Sequence, residues 1–332
     1  GYLMGILFLV AGYFTPGALD KKGFSRFIAD RWKRLGLPSL FYVLFVTPLI
    51  LWAEVPSSPW TGGASSFLQF YGTYIMSGGM HFLGIGPMWF AVALLIFSVI
   101  YGVVRTMGKG GTEKKQERTL SQGIVLPVLI LVVAAGAFLI RLVFPVGTIY
   151  LGMQLCYFSQ YIILFVAGIL AYRTNFFGRV TSSTGTKWLS AGMIIGFCGL
   201  FVMKWIAGVY DFATRTIHPV TGPGGFGGGV SWKSIVFPLW ESFVAVAMTV
   251  GLLAFFRDKG NYYTRLTERL SDSAFAVYMF HPPIIIAVTL ALRHLEIEPA
   301  VKWALASVIS VPLCFFLAYY VLLRVPLLKK IL

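Results

Sequence analysis

The chain has 332 residues, of which 58% are hydrophobic and only 12% are charged, and its formal net charge is +15. A water-soluble domain carries charges on roughly a quarter of its residues, so this composition excludes an ordinary soluble fold. In a soluble chain, so large a positive charge would indicate binding to nucleic acid. In a membrane protein, basic loops facing anionic lipid headgroups account for the excess. We therefore expect membrane lipids, and no nucleic acid, among its partners.

Nine hydrophobic stretches predict membrane-spanning helices. They cover residues 1–14, 37–53, 87–104, 123–144, 149–172, 187–207, 234–256, 274–293 and 300–323. Most Lys and Arg residues fall in alternate connections between these stretches, as they do in loops on the cytoplasmic side of a membrane. The sequence therefore predicts an all-α fold, a polytopic bundle of transmembrane helices in the plasma membrane. Gly1 is expected outside and the C-terminus in the cytoplasm.

The first stretch is short for a membrane helix. It ends before Thr15 and Pro16, whereas a spanning helix needs about 17 residues or more. We expect the chain to begin inside a membrane helix and to lack one helix before it, so that the complete bundle would have ten spans. Residues 1–332 are predicted to form a single integral-membrane domain without that first helix.

A cluster of arginines lies in the predicted inner loop 21–34. Arg31 and Arg34 are three residues apart, so on a helix their guanidinium groups would share one face. Arg26, more than a turn earlier, is a third candidate for that face. Such a cluster at the cytoplasmic membrane edge suits bidentate recognition of phosphate. The competing interpretation is a basic anchor that only fixes topology, and the residues alone leave both open.

Several other features have simple structural explanations. The cysteines Cys156, Cys198 and Cys314 lie inside predicted spans, and neither they nor the four scattered histidines show metal-ligand spacing, so we expect no metal site. Residues 65–78 are rich in aromatic side chains and predict a short amphipathic helix at the outer membrane surface. The glycine-rich run 222–229 lacks the Lys-Ser/Thr of a phosphate-binding loop and is interpreted as a flexible loop.

Glu241 is an acidic residue well inside a predicted span, about 10 Å below its outer end at 1.5 Å per residue. Burial of a carboxylate at that depth is costly, so we expect it to be paired, protonated or facing a polar cavity. Its candidate roles are a hydrogen bond between helices, orientation of a catalytic histidine and binding of a substrate hydroxyl.

His281 lies about 10 Å from the inner end of the eighth predicted span and is followed by Pro282 and Pro283. Prolines inside a membrane helix release backbone carbonyl groups, often where a cavity needs a polar lining. Tyr278 lies about one turn earlier on the same face, and His81, in an outer loop, is a candidate lining residue of a vestibule. His281 is thus a candidate for catalysis, and Tyr278 and His81 for substrate binding. These residues do not distinguish an enzyme from a transporter.

Four segments resemble, in chain order, a known family. FLVAGYFTPGALDKKGFSRFIADRWKRLGLP is similar to the second helix and following inner loop of the type-3 membrane acyltransferases, bacterial O-acyltransferases of lipopolysaccharide, peptidoglycan, exopolysaccharide and related glycans. Three later segments of this chain resemble later segments of that family: GPMWFAVALLIFSVIY, YFSQYIILFVAGILAYR and GLLAFFRDKGNYYTRLTERLSDSAFAVYMFHPPIII. The last of them contains Ser273, Tyr278 and His281.

The resemblance implies a ten-helix enzyme that takes an acyl group from cytoplasmic acyl-CoA and delivers it to a hydroxyl group. The family's Arg-x-x-Arg motif, which is tied to handling of the donor, matches Arg31–Arg34. The family's essential histidine lies on the first helix, which is absent here, so no residue of this sequence can inherit its role. We therefore expect the chain to be inactive alone, with His281 and Glu241 as the remaining candidates for catalysis.

The predicted function is transfer of an acyl group, acetyl first and succinyl next, from acyl-CoA to a hydroxyl of a cell-envelope glycan or a lipid-linked saccharide. Arg26, Arg31 and Arg34 are the predicted donor-binding residues. Acyl-CoA is a substrate here, and no bound cofactor is expected. The alternative is a transporter or flippase of a small anion or a lipid-linked sugar, with Glu241 and His281 as coupling groups. A structural or regulatory scaffold, the third hypothesis, requires that no acyl donor bind.

Overall fold

The computed structural model describes residues 2–53, 65–76, 85–108, 121–150, 152–207, 210–211, 216–217, 227–260, 262–325 and 328. Its α-helices are α1 (Tyr2–Lys22), α2 (Phe24–Arg31), α3 (Leu37–Phe41), α4 (Thr47–Ala53), α5 (Phe67–Met76), α6 (Trp89–Met107), α7 (Gln122–Val143), α8 (Phe158–Arg173), α9 (Phe176–Arg179), α10 (Ser182–Ala207), α11 (Trp232–Asp258), α12 (Arg265–Ala291) and α13 (Pro299–Tyr320). The other regular elements are the π-helical segments Trp32–Gly36 and Tyr42–Val46, the 3₁₀ turns Gly86–Met88, Leu155–Tyr157 and Leu322–Arg324, and the antiparallel two-residue strands β1 (Tyr210–Asp211) and β2 (Thr216–Ile217).

Within the described ranges, nine helical stretches have the length and hydropathy of membrane spans. The prediction of an all-α, polytopic bundle with nine spans is therefore confirmed. The first boundary was wrong, because α1 runs through Pro16 to Lys22. Pro16 cannot donate to the carbonyl of Gly12, four residues back, and the helix nevertheless continues. The buried Thr15 hydroxyl donates to the carbonyl of Ala11 at 2.7 Å.

The predicted inner loop 21–34 is also helical, and its only break is Gly23. This residue has a φ of +74°, a conformation that favours glycine. Its N–H donates to the carbonyl of Leu19 at 2.9 Å and ends α1. The arginine cluster therefore lies on a helix that continues to Ala53, and not on a loop.

The helix over residues 24–53 changes to the π form twice, each time just before a proline. The segment Trp32–Gly36 precedes Pro38, and the segment Tyr42–Val46 precedes Pro48. A proline has no N–H for the carbonyl of the preceding turn, and its ring crowds that carbonyl. The helix widens, and the N–H after each segment bonds to a carbonyl five residues back. Such π segments are rare and occur frequently at functional sites.

Tyr74, on helix α5, donates a hydrogen bond to the carbonyl of Val43, which lacks a backbone donor because of Pro48. In the π pattern, the carbonyl of Val43 would accept from residue 48, which is a proline. The hydroxyl of Tyr74 donates to this oxygen at 2.8 Å instead. Tyr74 is buried, and burial raises the pKa of its hydroxyl, so the group stays a proton donor. The helix predicted within 65–78 is thus present, and its place at the outer surface stays a prediction.

The contacts divide the chain into two compact units. The first unit comprises Gly1–Phe27 and Phe97–Tyr262, and the second comprises Ile28–Ile96 and Tyr263–Leu332. In the first unit, α1 and α7 both pack against α8 and α11, and α10 packs against α11. In the second unit, α12 packs against α13. The predicted single domain stays a prediction.

Two glycines bring α1 and α8 of the first unit into backbone contact. A Cβ atom on Gly12 would lie 2.1 Å from the carbonyl oxygen of Phe165. A Cβ atom on Gly168 would lie 2.1 Å from the carbonyl oxygen of Leu9. Small residues at an interface allow membrane helices to approach this closely. This glycine contact fixes α8, which carries several of the polar residues described below.

Charged side chains gather at one end of the first unit, which we call its basic end. Arg173 donates to Asp20 at 3.0 Å and to the hydroxyl of Tyr101 at 3.1 Å. Arg257 donates to its neighbour Asp258 at 2.6 Å. The ends of α1 and α8 therefore meet here, and the end of α11 joins them where Arg257 donates to the carbonyl of Phe177, in α9, at 2.6 Å.

Candidate functional site

Arg31 and Arg34 lie at the junction of α2 and the first π segment. Arg31 is the last residue of α2, is half-buried, and interacts electrostatically with Arg34 and Asp30. Arg34 is exposed within the π segment, as is Lys33. Two guanidinium groups so placed repel each other, and a bound anion would relieve that repulsion. The arrangement suits a phosphate-bearing ligand.

The predicted roles of Arg26 and His81 are not tested by the structure. Arg26 is exposed on α2 and belongs to the first unit, whereas Arg31 and Arg34 belong to the second. His81 lies outside the described residues. The predicted roles of Arg26 in donor binding and of His81 in substrate binding stay predictions.

The imidazole of His281 has a defined orientation. Helix α12 continues through Pro282 and Pro283, and Pro282 has no N–H for the carbonyl of Tyr278. Nδ1 of His281 lies 2.9 Å from that oxygen. Because a carbonyl oxygen only accepts, Nδ1 carries the hydrogen in this contact. In the neutral ring Nε2 is then the acceptor, which is the form that a general base requires.

The helix that carries His281 begins earlier than the apolar stretch that predicted it. Helix α12 begins at Arg265 and not at residue 274, because Thr264 and Thr267 form a capping box at its start. His281 is therefore about 24 Å from the start of α12 and about 15 Å from its end at Ala291. The predicted depth of about 10 Å was counted from residue 274, the inner end of the apolar stretch, and it stays a prediction.

Tyr278 holds a turn of the second unit against α12. Its hydroxyl donates to the carbonyl of Pro87, and its ring meets the edge of Phe90 at 6.2 Å between centroids. In the same turn, a Cβ atom on Gly86 would lie 2.8 Å from Cε1 of Tyr42. Tyr278 thus fixes the turn Gly86–Met88 one helical turn from His281. Its predicted part in substrate binding stays a prediction.

Glu241 is paired with a cation inside the first unit. Nη2 of Arg141, on α7, donates to Oε2 of Glu241, on α11, at 2.5 Å. The side chain of Arg141 is 2% exposed and that of Glu241 is 12% exposed. Of the states expected for this carboxylate, the structure therefore shows the ion pair. Both Nε and Nη1 of Arg141 are buried without an acceptor in the described chain.

Aromatic and polar side chains surround this ion pair. The guanidinium carbon of Arg141 lies 5.3 Å from the ring centroid of Tyr157 and 5.4 Å from that of Phe237. Tyr161 interacts electrostatically with Glu241 and Arg141. On α8, Gln160 is buried, and its Nε2 likewise has no acceptor among the described residues. These features define a polar cluster between α7, α8 and α11.

The described part of the glycine-rich run packs beside this cluster. The carbonyl of Gly227 accepts from the N–H of Val146 at 2.7 Å. A Cβ atom on Gly228 would lie 2.6 Å from the carbonyl oxygen of Arg141. The hydroxyl of Ser234 donates to the carbonyl of Gly229 at 2.6 Å. The last three glycines therefore cover the end of α7, whereas residues 222–226 lie outside the described ranges.

Two cavities of the first unit lie elsewhere. The larger, about 880 Å³, has mainly aliphatic walls from α7 and α8, with Arg173 and Thr174 among its lining residues. The smaller, about 520 Å³, is lined by Gln122, Arg179 and Trp188 among others. Neither is lined by Arg141 or Glu241. The aliphatic walls of the larger cavity suit an aliphatic chain better than a hydroxyl group.

Arg141 was not among the site residues predicted from the sequence. It lies inside the predicted span 123–144, as Glu241 lies inside the span 234–256. Ionisable residues within membrane spans usually pair with one another. Two opposite charges inside separate spans were the signal that could have found the pair.

These observations define the class of the protein. Its described helices form a multi-pass membrane bundle that holds a histidine of fixed orientation, a buried ion pair and an arginine pair at a helix junction. A family model described as an acyltransferase domain, that of the acyltransferase 3 family, matches residues 1–319. The chain belongs to this family of membrane acyltransferases, as the resemblance of its segments implied.

No curated protein and no solved structure gives a significant match to this chain. Membership in the family favours the predicted acyltransferase over the transporter alternative.

Proposed function

We propose that this membrane acyltransferase moves an acyl group, acetyl in preference to succinyl, from cytoplasmic acyl-CoA to a hydroxyl of a cell-envelope glycan or lipid-linked saccharide. It would do so in the bacterial inner membrane, with its C-terminus in the cytoplasm. The observation that carries the proposal is the arginine pair, Arg31 and Arg34, in mutual electrostatic range at a helix junction of a family acyltransferase.

The chemistry of the pair supports acyl-CoA as the donor. Coenzyme A carries several phosphate groups, and guanidinium binds phosphate with two parallel N–H donors, which an ammonium group does not offer. Arg31 is half-buried and Arg34 exposed, so one is held by the fold while the other is open to a ligand. A basic anchor that only fixed topology would have no need of arginine at both positions.

His281 is the remaining candidate in this chain for the base that acts on the acceptor hydroxyl. With Nδ1 donating to the carbonyl of Tyr278, a neutral imidazole presents Nε2 to remove the hydroxyl proton. The hydroxyl oxygen then attacks the thioester carbonyl, the carbon–sulfur bond breaks, and the departing CoA thiolate takes up the proton. Glu241, the other predicted catalytic residue, is held by Arg141.

Substitution of both donor arginines tests the proposal. The variant Arg31→Ala/Arg34→Ala is expected to bind acetyl-CoA at least 100-fold more weakly than the parent chain, since each charge-assisted contact contributes about 1.5–3 kcal/mol. Binding is measured by calorimetry on the chain in nanodiscs, so the result does not depend on turnover. The matched control is Lys33→Ala, which removes an exposed charge from the same π segment and is expected to change affinity less than threefold.

Unchanged affinity in the double variant would show that the donor site lies elsewhere. If the double variant and Lys33→Ala lost acetyl-CoA affinity equally, the cluster would act only as a general basic surface. A parent chain that binds no acetyl-CoA and transports a small anion or lipid-linked sugar would favour the transporter alternative.

Removal of the His281 imidazole tests the proposed base. We expect the chain alone to release no CoA thiol, because the family's essential histidine is absent. If release is detected, His281→Ala should slow this acceptor-dependent release by about 10²–10⁴-fold, with acetyl-CoA affinity unchanged. The control is His294→Ala, since His294 is exposed in the connection after α12. If the parent chain binds acetyl-CoA and releases no thiol with any acceptor, or if His281→Ala is as fast as the parent, His281 is not the base.

A further inference from the structure

We propose that Arg141 and Glu241 form a binding site for the hydroxyl groups of a neutral, oxygen-rich ligand, a saccharide. The proposal deepens the function proposed above, because such a ligand would be the acyl acceptor. It rests on the unsatisfied hydrogen-bonding groups of the polar cluster, on their charge balance and on their position in the first unit.

The ion pair leaves buried hydrogen-bond donors without partners. Arg141 uses Nη2 for Glu241 at 2.5 Å, while its Nε and Nη1 have no acceptor within the described part of the chain. Gln160 adds a third buried donor without an acceptor, its Nε2. Buried polar groups in native proteins are nearly always satisfied, so each such group calls for an explanation. A bound molecule whose oxygens accept these hydrogen bonds would explain the unsatisfied donors.

The aromatic neighbours do not replace that acceptor. The centroids of Tyr157 and Phe237 lie 5.3 and 5.4 Å from the guanidinium carbon, a distance at which a ring attracts the face of the cation. The N–H bonds of a guanidinium group point outward in its plane. The rings therefore hold the plane of Arg141, and they leave its buried Nε–H and Nη1–H groups without an acceptor in the described part of the chain.

The charge balance selects the class of ligand. Because Glu241 already neutralises Arg141, the pair has no net charge to attract phosphate or carboxylate. The two side chains of the pair require different hydrogen-bond partners. The guanidinium group of Arg141 requires acceptors, whereas the carboxylate of Glu241, which is 12% exposed, requires donors. A hydroxyl group is both donor and acceptor, and a saccharide offers several within a few ångströms of one another.

The position of the pair agrees with this role. Arg141 lies two residues before the end of α7, and Tyr157 immediately precedes α8. Glu241 is about 14 Å from the start of α11. This is the end of the first unit opposite its basic end, and the proposed topology places it on the outer side of the membrane. Envelope saccharides are found there.

A binding experiment on the full chain in nanodiscs tests the site. The probes are methyl α-glucoside, methyl α-galactoside and N-acetylglucosamine, with inorganic phosphate and acetate as charged comparators. At least one neutral probe is expected to bind saturably by calorimetry, and neither anion is expected to compete. Glu241→Gln is expected to weaken that binding at least tenfold. If none of the neutral probes binds the parent chain, or if phosphate binds more tightly than all of them, the proposal is wrong.

The paired variant Arg141→Met/Glu241→Met separates binding from folding. Replacement of both members of a buried ion pair by apolar residues of similar size preserves stability far better than loss of one member. This variant is expected to unfold as the parent does and yet to bind the neutral probe at least tenfold more weakly. Parent-like binding by the paired variant would show that the ion pair is only structural.

The same preparations distinguish this proposal from the proposed function. Acetyl-CoA should bind the paired variant and Glu241→Gln as tightly as it binds the parent chain. If acetyl-CoA binds none of them while the neutral probe binds the parent chain, the donor assignment fails and the saccharide site stands. If acetyl-CoA binds all of them and the probe binds none, the saccharide site fails alone.

Discussion

Replacement of Gly12 or Gly168 by alanine is expected to lower the free energy of unfolding by about 3 kcal/mol. This value is in the upper part of the range for overpacking a tight interface. The added Cβ atom would lie 2.1 Å from a backbone carbonyl oxygen of the facing helix in either case. A flexible side chain could move aside, but these oxygens belong to the helical backbones of α1 and α8. The two helices would therefore have to separate along this contact.

The loss is measured by unfolding with SDS in mixed micelles. The matched control is Gly72→Ala in α5, where an added Cβ atom meets nothing within 4 Å. That change should be neutral or raise stability by up to about 1 kcal/mol, because alanine favours the helix. If Gly12→Ala and Gly72→Ala unfold alike, α1 and α8 do not approach as closely as described.

The second large effect is expected from Glu241→Ala, at about 3–5 kcal/mol of lost stability. Removal of the carboxylate leaves the guanidinium of Arg141 buried and unpaired, and a broken buried pair is strongly destabilising. Arg141 is only 2% exposed, so water cannot readily replace the lost partner. The measurement is again SDS unfolding.

A more exposed ion pair provides the control for this second prediction. Arg173 and Asp20 meet at 3.0 Å with 15% and 25% of their side chains exposed. Asp20→Ala should cost about 1 kcal/mol or less, because solvent screens such pairs. A loss for Glu241→Ala no larger than that for Asp20→Ala would contradict the view that Arg141 depends on Glu241.

The sequence predicts the spans well where the apolar stretch and the helix coincide. The stretch 87–104 corresponds to the described span Gly86–Met107. The prediction of helix bounds from hydropathy fails where a helix extends beyond the apolar layer. Helix α12 is an example, because its first turns carry Arg265, Glu268 and Arg269. Hydropathy marks only the part of a helix that lies in hydrocarbon. The capping threonines, Thr264 and Thr267, mark where the helix itself begins.

The candidate site is less predictable for a different reason. His281 could be identified because the two following prolines are adjacent in sequence, and their effect on the carbonyl of Tyr278 is local. Arg141 and Glu241 are 100 residues apart. No local pattern tells which helices will be neighbours. The same holds for Tyr74 and Val43, which meet only because α5 packs on the second π segment.

The two π segments also bear on how chain length can vary in this region. A π hydrogen bond spans one residue more than an α-helical bond, so Trp32–Gly36 and Tyr42–Val46 each absorb one surplus residue. A one-residue deletion within either segment would return that turn to the α form without rotating the faces of the helix beyond it. Related chains that differ by a single residue here would therefore present the same side chains to the same surroundings.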